Sequence, residues 1–320
     1  MTPQSVRRIA LAVFGLSVLL GLGAPSTPLL VTTRDILVYV DGDRRETASA
    51  GARAGNYRLL STLADGSVLV SYDDGSFTSV ESISPSLQPR TVKSLPRAMA
   101  SFVAPADDGF IVYDGSAQLL RRYDAKGSIL GSPAGVLGAQ TALGIGADTI
   151  VLGYQALSVY DRRASLRHQV IINGGALAPL PGGRFAVTDV ANHEVRIYTT
   201  ALDRVAVLRF AQNRPLGALA AAPDGTLAVV TGTPSCSISD VEVDVFADVT
   251  AAQPSARIRA GADAAVGLAV TSDAVYVANA GCRGQNGSIG VFGRDGTSQA
   301  VIGNVGSPTG VLPFPAAQRR

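Results

Sequence analysis

Few side chains in this sequence can do acid–base, nucleophilic or metal chemistry. Beyond the first 24 residues there are four glutamates, Glu46, Glu81, Glu194 and Glu242, and two histidines, His168 and His193. Two histidines cannot assemble a three-histidine zinc site. Serine is plentiful, but no Gly-x-Ser-x-Gly elbow occurs, and so few histidines leave little to act as a base for a nucleophile. Aspartate is common, yet it recurs beside glycine between apolar runs, where it does turn chemistry. That leaves the only two cysteines, Cys236 and Cys282. A reactive thiol needs an electropositive setting, whereas an even pair in an oxidising compartment forms a disulfide.

The elements that would position these groups repeat. A unit of about 42 residues recurs along the chain, a period that belongs to four-stranded propeller blades. Each unit opens on a small-residue apolar stretch, turns at an Asp/Gly pair and continues into β-rich sequence. Leu59–Val70 and Ala218–Val229 carry the pattern most clearly, turning at Asp65-Gly66 and Asp224-Gly225. Related turns fall at Asp108-Gly109, Ala147-Asp148, Gly182-Gly183 and Ser272-Asp273. Asp-Gly between apolar strands signals a tight hairpin, because both residues tolerate positive φ. Phe185–Thr188, Val195–Tyr198 and Arg204–Leu208 then supply the later strands of one unit, and helical periodicity is absent. The first strand of each unit is rich in Ala, Gly, Leu and Val, as crowding near a central axis demands.

Six complete units start near Asn56, Arg97, Gln140, Gly175, Leu216 and Ala265. Ser307–Leu312 reads as a further inner strand without successors. Pro28–Thr33, Ile36–Val40 and Arg44–Ala50 read as three strands without an inner one. Joined, they complete a seventh blade and close the ring, removing exposed sheet edges. The expected fold is therefore an all-β, seven-bladed β-propeller over residues 25–320. The alternative is six blades with an irregular N-terminal extension.

The segment ahead of the propeller is of another kind. Arg7 and Arg8 precede an uncharged apolar run from Ile9 to Gly23, which ends in small residues. This is the pattern of a secretory signal, so residues 1–24 are read as a signal peptide or, if uncleaved, an N-terminal anchor. The run of about 15 residues is shorter than the ~20 that span a bilayer. Export puts the chain in the periplasm or outside the cell. A formal net charge of +2, from 25 Arg, 2 Lys and 25 acidic residues, supplies no field for nucleic acid.

Two units also carry family patterns. Phe185-Ala186-Val187-Thr188-Asp189-Val190-Ala191-Asn192-His193-Glu194-Val195-Arg196-Ile197-Tyr198 resembles the repeat of NHL propellers, in which a strand ends in Asp and an Asn-His turn follows. Val275-Tyr276-Val277-Ala278-Asn279-Ala280-Gly281 resembles the YVTN-type propellers and the broad gluconolactonase-like superfamily. The second resemblance implies a divalent cation at the central channel, held by an inner-strand Glu with Asn and Asp. None of the four glutamates is expected on an inner strand, which speaks against that activity. Propeller lyases need several channel histidines, and quinoprotein propellers need Trp, of which there is none. His193 matches a turn position of the NHL repeat, and His168 is expected on an outer strand.

In this blade count Cys236 and Cys282 fall in the same loop of adjacent blades, between second and third strands, which predicts a Cys236–Cys282 disulfide. Both loops, Gly232–Asp240 and Asn279–Gly287, are longer than their counterparts. Long loops on one face of a rigid ring are where recognition resides. Asp240, Asn279, Arg283 and Gln285 are the candidate contact residues. The reading is an exported, non-catalytic propeller that binds a protein or peptide through that face. It expects no cofactor, no metal, no nucleic acid, and a membrane only through an uncleaved N-terminus. Two alternatives stay open: a degenerate lactonase-like hydrolase, and a membrane-anchored sensory or structural ectodomain.

Overall fold

A computed structural model describes residues 27–33, 37–41, 44–47, 57–63, 65–232, 241–260, 265–281 and 286–314. The chain opens with β1 (Leu29–Thr33), β2 (Leu37–Asp41) and β3 (Arg44–Thr47). Next come β4 (Arg58–Thr62), β5 (Val68–Asp73), β6 (Phe77–Ile83) and β7 (Pro89–Pro96). β8 (Phe102–Ala106), β9 (Gly109–Asp114), β10 (Leu119–Asp124) and β11 (Ile129–Gly135) follow. They lead to β12 (Ala139–Ile145), β13 (Asp148–Gly153), β14 (Ala156–Tyr160) and β15 (Leu166–Ile171). β16 (Gly174–Leu180), β17 (Arg184–Asp189), β18 (Glu194–Thr199) and β19 (Arg204–Arg209) form the next set. After β20 (Leu216–Ala221), β21 (Leu227–Thr231), β22 (Glu242–Phe246) and β23 (Ala256–Arg259) come β24 (Ala265–Val270), β25 (Ala274–Asn279), β26 (Ser288–Gly293) and β27 (Ser298–Ile302). β28 (Pro308–Pro313) is last.

These strands make five separate four-stranded sheets and one of eight, the four-stranded blades of an all-β propeller. Within every set, consecutive strands pair antiparallel, with the first lying nearest the axis. The eight-stranded sheet arises where β8 and β12 meet in a single parallel bridge, Gly144 opposite Ala106. Inner strands contact one another in the order β28, β4, β8, β12, β16, β20, β24 and back to β28.

Burial follows position in the blade. Second strands such as β5 and β9 are buried almost throughout, because neighbouring sheets cover both of their faces. Outermost strands such as β15 are largely exposed and polar. The core is accordingly divided into clusters wedged between adjacent sheets. Val31, Val311, Tyr276 and Ile289 fill one wedge, and Ala228, Val243, Val275 and Val277 the next. Aromatic pairs thicken others: Phe110 stacks on Tyr123 at 5.1 Å, and Tyr57 on Tyr72 at 5.3 Å. Such pairs add about 0.5–1.5 kcal/mol beyond their area burial.

The two ends of the chain are stitched together. β28 pairs antiparallel with β1, Val311 opposite Val31 and Leu312 opposite Leu30. The Phe314 amide donates to the Pro28 carbonyl at 2.8 Å, and its ring packs edge-on against Tyr39. The closure expected from the terminal segments is present. One unit starts later than expected: Arg97–Met99 is a short 3-10 turn, and the inner strand begins at Phe102. The Pro96–Arg97 entry and the Ala100-to-Arg97 backbone bond favour that tight turn over an extended strand.

Hairpins between first and second strands use the turn chemistry their residues suggest. Asp65 and Asp224 accept the amides of Ser67 and Thr226 at 2.9 and 3.0 Å. Gly66 and Gly225 sit at φ +80° and +94°, where a side chain would be strained. Antiparallel order divides the connections between two faces of the ring. First-to-second and third-to-fourth turns open on one side, the turn face, where both ends of the described chain also lie. Second-to-third loops and the crossovers to the next blade open on the other, the loop face.

Candidate functional site

Cys236, Asp240, Cys282, Arg283 and Gln285 lie outside the described residues. The stems of their loops are described. Gly232 and Val241 flank one, at the end of β21 and before β22; Gly281 and Asn286 flank the other, between β25 and β26. The two stems stand on adjacent blades, since β20 and β21 both contact β24. Asn279 is the last residue of β25 and only 6% exposed, so that loop proper begins at Ala280. Its side-chain oxygen has no hydrogen-bond partner among the described residues, and neither has the hydroxyl of Thr231, which ends β21 at the corresponding position. Each loop thus rises from a buried polar group.

The glutamates fall where expected, away from the inner strands. Glu81, Glu194 and Glu242 are on third strands β6, β18 and β22, and Glu46 is on β3. Glu194 is held by Arg196 at 3.0 Å and Arg209 at 3.3 Å, and Glu242 by Arg214 at 2.6 Å. His168 is exposed on outer strand β15. His193 occupies the turn after β17 with a left-handed φ of +52°, and its carbonyl accepts the Phe210 amide. In that turn Asp189, nearly fully buried, accepts from the Asn192 side-chain Nδ2 at 2.8 Å and pairs with Arg196 at 2.7 Å. The motif residues build the hairpin.

Two features of the loop face escaped sequence reasoning. The first is an apolar crescent. Leu137, Tyr154, Ile171 and Val190 are 78%, 74%, 88% and 40% exposed. They come from different loops and strand ends but lie side by side. The Ile172 amide donates to the Gln155 carbonyl at 3.2 Å, and the Val190 amide to that of Asn173 at 2.8 Å. The carbonyls of Leu137 and Gly138 back onto Gly153. Loops 115–118, 136–138, 154–155, 172–173 and 190–193, which carry or flank the crescent, contain no Asp, Glu, Lys or Arg.

The second is a cavity of about 510 Å³ against inner strands β4, β24 and β28 and the end of β1. Thr32, Thr33, Tyr57, Arg58, Leu59, Leu268 and Thr309 are among its lining residues. Arg58 is exposed; among the described residues it has no ion-pair partner and no Asp or Glu lines the cavity with it. Several inner strands bulge at this end, near Leu60, Gln140, Val266 and Thr309. Bulges re-aim side chains at the rims of closed sheets.

The opposite face is occupied by structure. The Arg122 guanidinium, with its side chain 5% exposed, bonds Asp107 at 2.9 Å and Asp108 at 2.6 Å. It also donates to the carbonyls of Gly146 and Asp148 at 2.8 and 2.9 Å. This clasp spans the joint of the eight-stranded sheet.

No protein-family model matches the chain, and no curated protein matches it. Solved structures do resemble it. AztD from Citrobacter koseri superposes with a TM-score of 0.60 at 9% identity, covering 91% of this chain and 99% of that one. A chain of the mitotic checkpoint complex gives 0.60 at 10% identity, over 78% and 83% of the two chains. Kluyveromyces lactis Hsv2 gives 0.55 at 10% identity, over 74% and 73%. These likenesses show the fold alone.

Proposed function

We propose that this chain is an exported, non-catalytic, seven-bladed propeller whose loop face binds a protein or peptide. Counting the eight-stranded sheet as two blades that touch through one parallel bridge gives the seven. The cyclic order of inner strand contacts supports that count. The resemblance to NHL and YVTN repeats is kept as the family reading, supported by the Asp189–Asn192–Arg196 hairpin. Export is supported by the apolar segment after Arg7 and Arg8. Should that segment remain as an anchor, the chain would leave the membrane at the turn face and hold the loop face away from it.

The observation that carries the binding reading is the crescent of Leu137, Tyr154, Ile171 and Val190. Large exposed apolar side chains grouped among loops that carry no charged residue mark interaction sites, and aromatic residues dominate interface energetics. The neighbouring loops of Cys236 and Cys282, bridged by the proposed disulfide, would extend the same face, with Asp240, Arg283 and Gln285 as polar contacts and Asn279 bracing the base.

A photo-crosslinking residue in place of Tyr154 tests this in the native host. Adducts are expected from position 154 and not from Lys126, exposed on the turn face, and Ile171→Asp should abolish them. Equal adducts from both positions, or none from 154, refute the reading. N-terminal sequencing of the exported protein separates a cleaved signal from an anchor.

A further inference from the structure

We infer that the cavity at the loop-face end of the channel is a binding site for a carboxylate attached to a small apolar body. Its volume of about 510 Å³ lies within the range of small-ligand sites, about 300–1,000 Å³. Its chemistry is divided. Leu59, Leu268 and Val311 line it with apolar surface, whereas Arg58, Thr32 and Thr309 bring polar groups. The threonines are already organised: the Thr309 hydroxyl lies 3.2 Å from that of Thr32 and 3.3 Å from the Thr32 carbonyl. Thr309 is the residue where the β28–β1 register shifts, so the irregularity sets its hydroxyl at the cavity.

Arg58 decides the sign of the ligand. A guanidinium is always charged and presents a planar fork of donors that matches a carboxylate in two parallel bonds. Three other arginines at the loop face are paired: Arg97 with Asp73, Arg209 with Glu194, and Arg214 with Glu242. Arg58 has no such partner among the described residues, and none of the described residues that line the cavity is acidic. A site with this lining repels a divalent cation and attracts an oxyanion. The adjoining apolar wall of Leu59, Leu268 and Val311 favours an anion that carries hydrocarbon over a bare inorganic one. The C-terminal residue of a peptide with an apolar side chain and a free short-chain acid share this chemistry. The inference stands apart from the crescent, whose residues lie on other blades.

Titration calorimetry with the exported form tests it, using hexanoate, hexanamide, an acetylated tripeptide ending in leucine, and its C-terminal amide. Hexanoate or the free-acid tripeptide should bind, and the matching amides at least about tenfold more weakly, the loss of one charge-assisted pair. Binding of the tripeptide alone assigns the site to chain ends; binding of hexanoate alone assigns it to free acids. Arg58→Leu should abolish the heat, while Arg58→Lys, which keeps the charge without the fork, retains part of it. Circular dichroism confirms that both variants are folded, as expected for an exposed side chain. The idea is overturned if neither acid binds, if acids and amides bind alike, or if Arg58→Leu leaves binding unchanged. Loss of crosslinking at Tyr154 with hexanoate binding intact would refute the crescent and leave this site standing.

Discussion

At the scale of single residues, Arg122 carries the heaviest electrostatic burden. A guanidinium 5% exposed is stable only because two carboxylates and two carbonyls surround it. Arg122→Ala removes the cation and leaves Asp107 and Asp108 facing each other. The expected cost is about 1–3 kcal/mol, read as a lower denaturant midpoint, because the carbonyls of Gly146 and Asp148 lose their donor, whereas Asp107 and Asp108 are 52% and 30% exposed and Asp108 keeps Arg162 at 3.5 Å. Arg122→Met, which refills the volume, should lose less. Five aspartates give a second prediction. Backbone amides of Ala117, Ser165, Thr226 and Thr250, and the hydroxyl of Thr297, hold Asp114, Asp161, Asp224, Asp248 and Asp295 below the usual carboxylate range. A depressed folded-state value stabilises the fold above the unfolded value near about 4, and that stability is lost as pH falls through the folded values. The melting temperature should therefore be insensitive to these groups above about pH 5 and fall below about pH 4. Asp224→Asn, which also breaks the 2.6 Å pair with Arg294, should make that acid-side fall shallower.

Among elements, the inner strands are the most constrained, and their small residues are a packing requirement. A Cβ on Gly144 would lie 2.4 Å from the Ala106 Cβ and 3.1 Å from the Arg122 guanidinium carbon. Gly144→Val should cost at least about 1–3 kcal/mol by overpacking, and more if the clasp opens with it. Thermal unfolding of the single variant and of the Gly144→Val, Arg122→Met pair checks this, because coupled sites depart from additivity. These elements were largely legible in the sequence. The Asp-Gly turns at 65–66 and 224–225, the small-residue inner strands and the Asp189 hairpin depend on contacts a few residues apart, so local residue types report them. The 3-10 turn at Arg97–Met99 was not legible, because an apolar-and-basic stretch before a strand reads equally well as part of it.

For the whole molecule, stability is that of a closed ring. Truncation after Val305 deletes β28 and leaves β1 without its inner partner, exposing a sheet edge beside the wedge filled by Val31, Tyr276 and Ile289. Such an edge is a template for pairing with another chain. The truncated protein should elute as aggregate in size-exclusion chromatography, where the complete chain elutes as a discrete species. The candidate sites were hardly legible at this scale. Leu137, Tyr154, Ile171 and Val190 are unremarkable singly, and only the ring makes them neighbours. Arg58 is one of 25 arginines, set apart only by its place in the cavity lining. The sequence by itself determined the repeat, the hairpins and the means of closure, because strand alternation and turn geometry are written in adjacent residues. Which side chains share a face, and which arginine lines the cavity at the channel mouth, was decided by tertiary structure, since those relations join residues a blade or more apart.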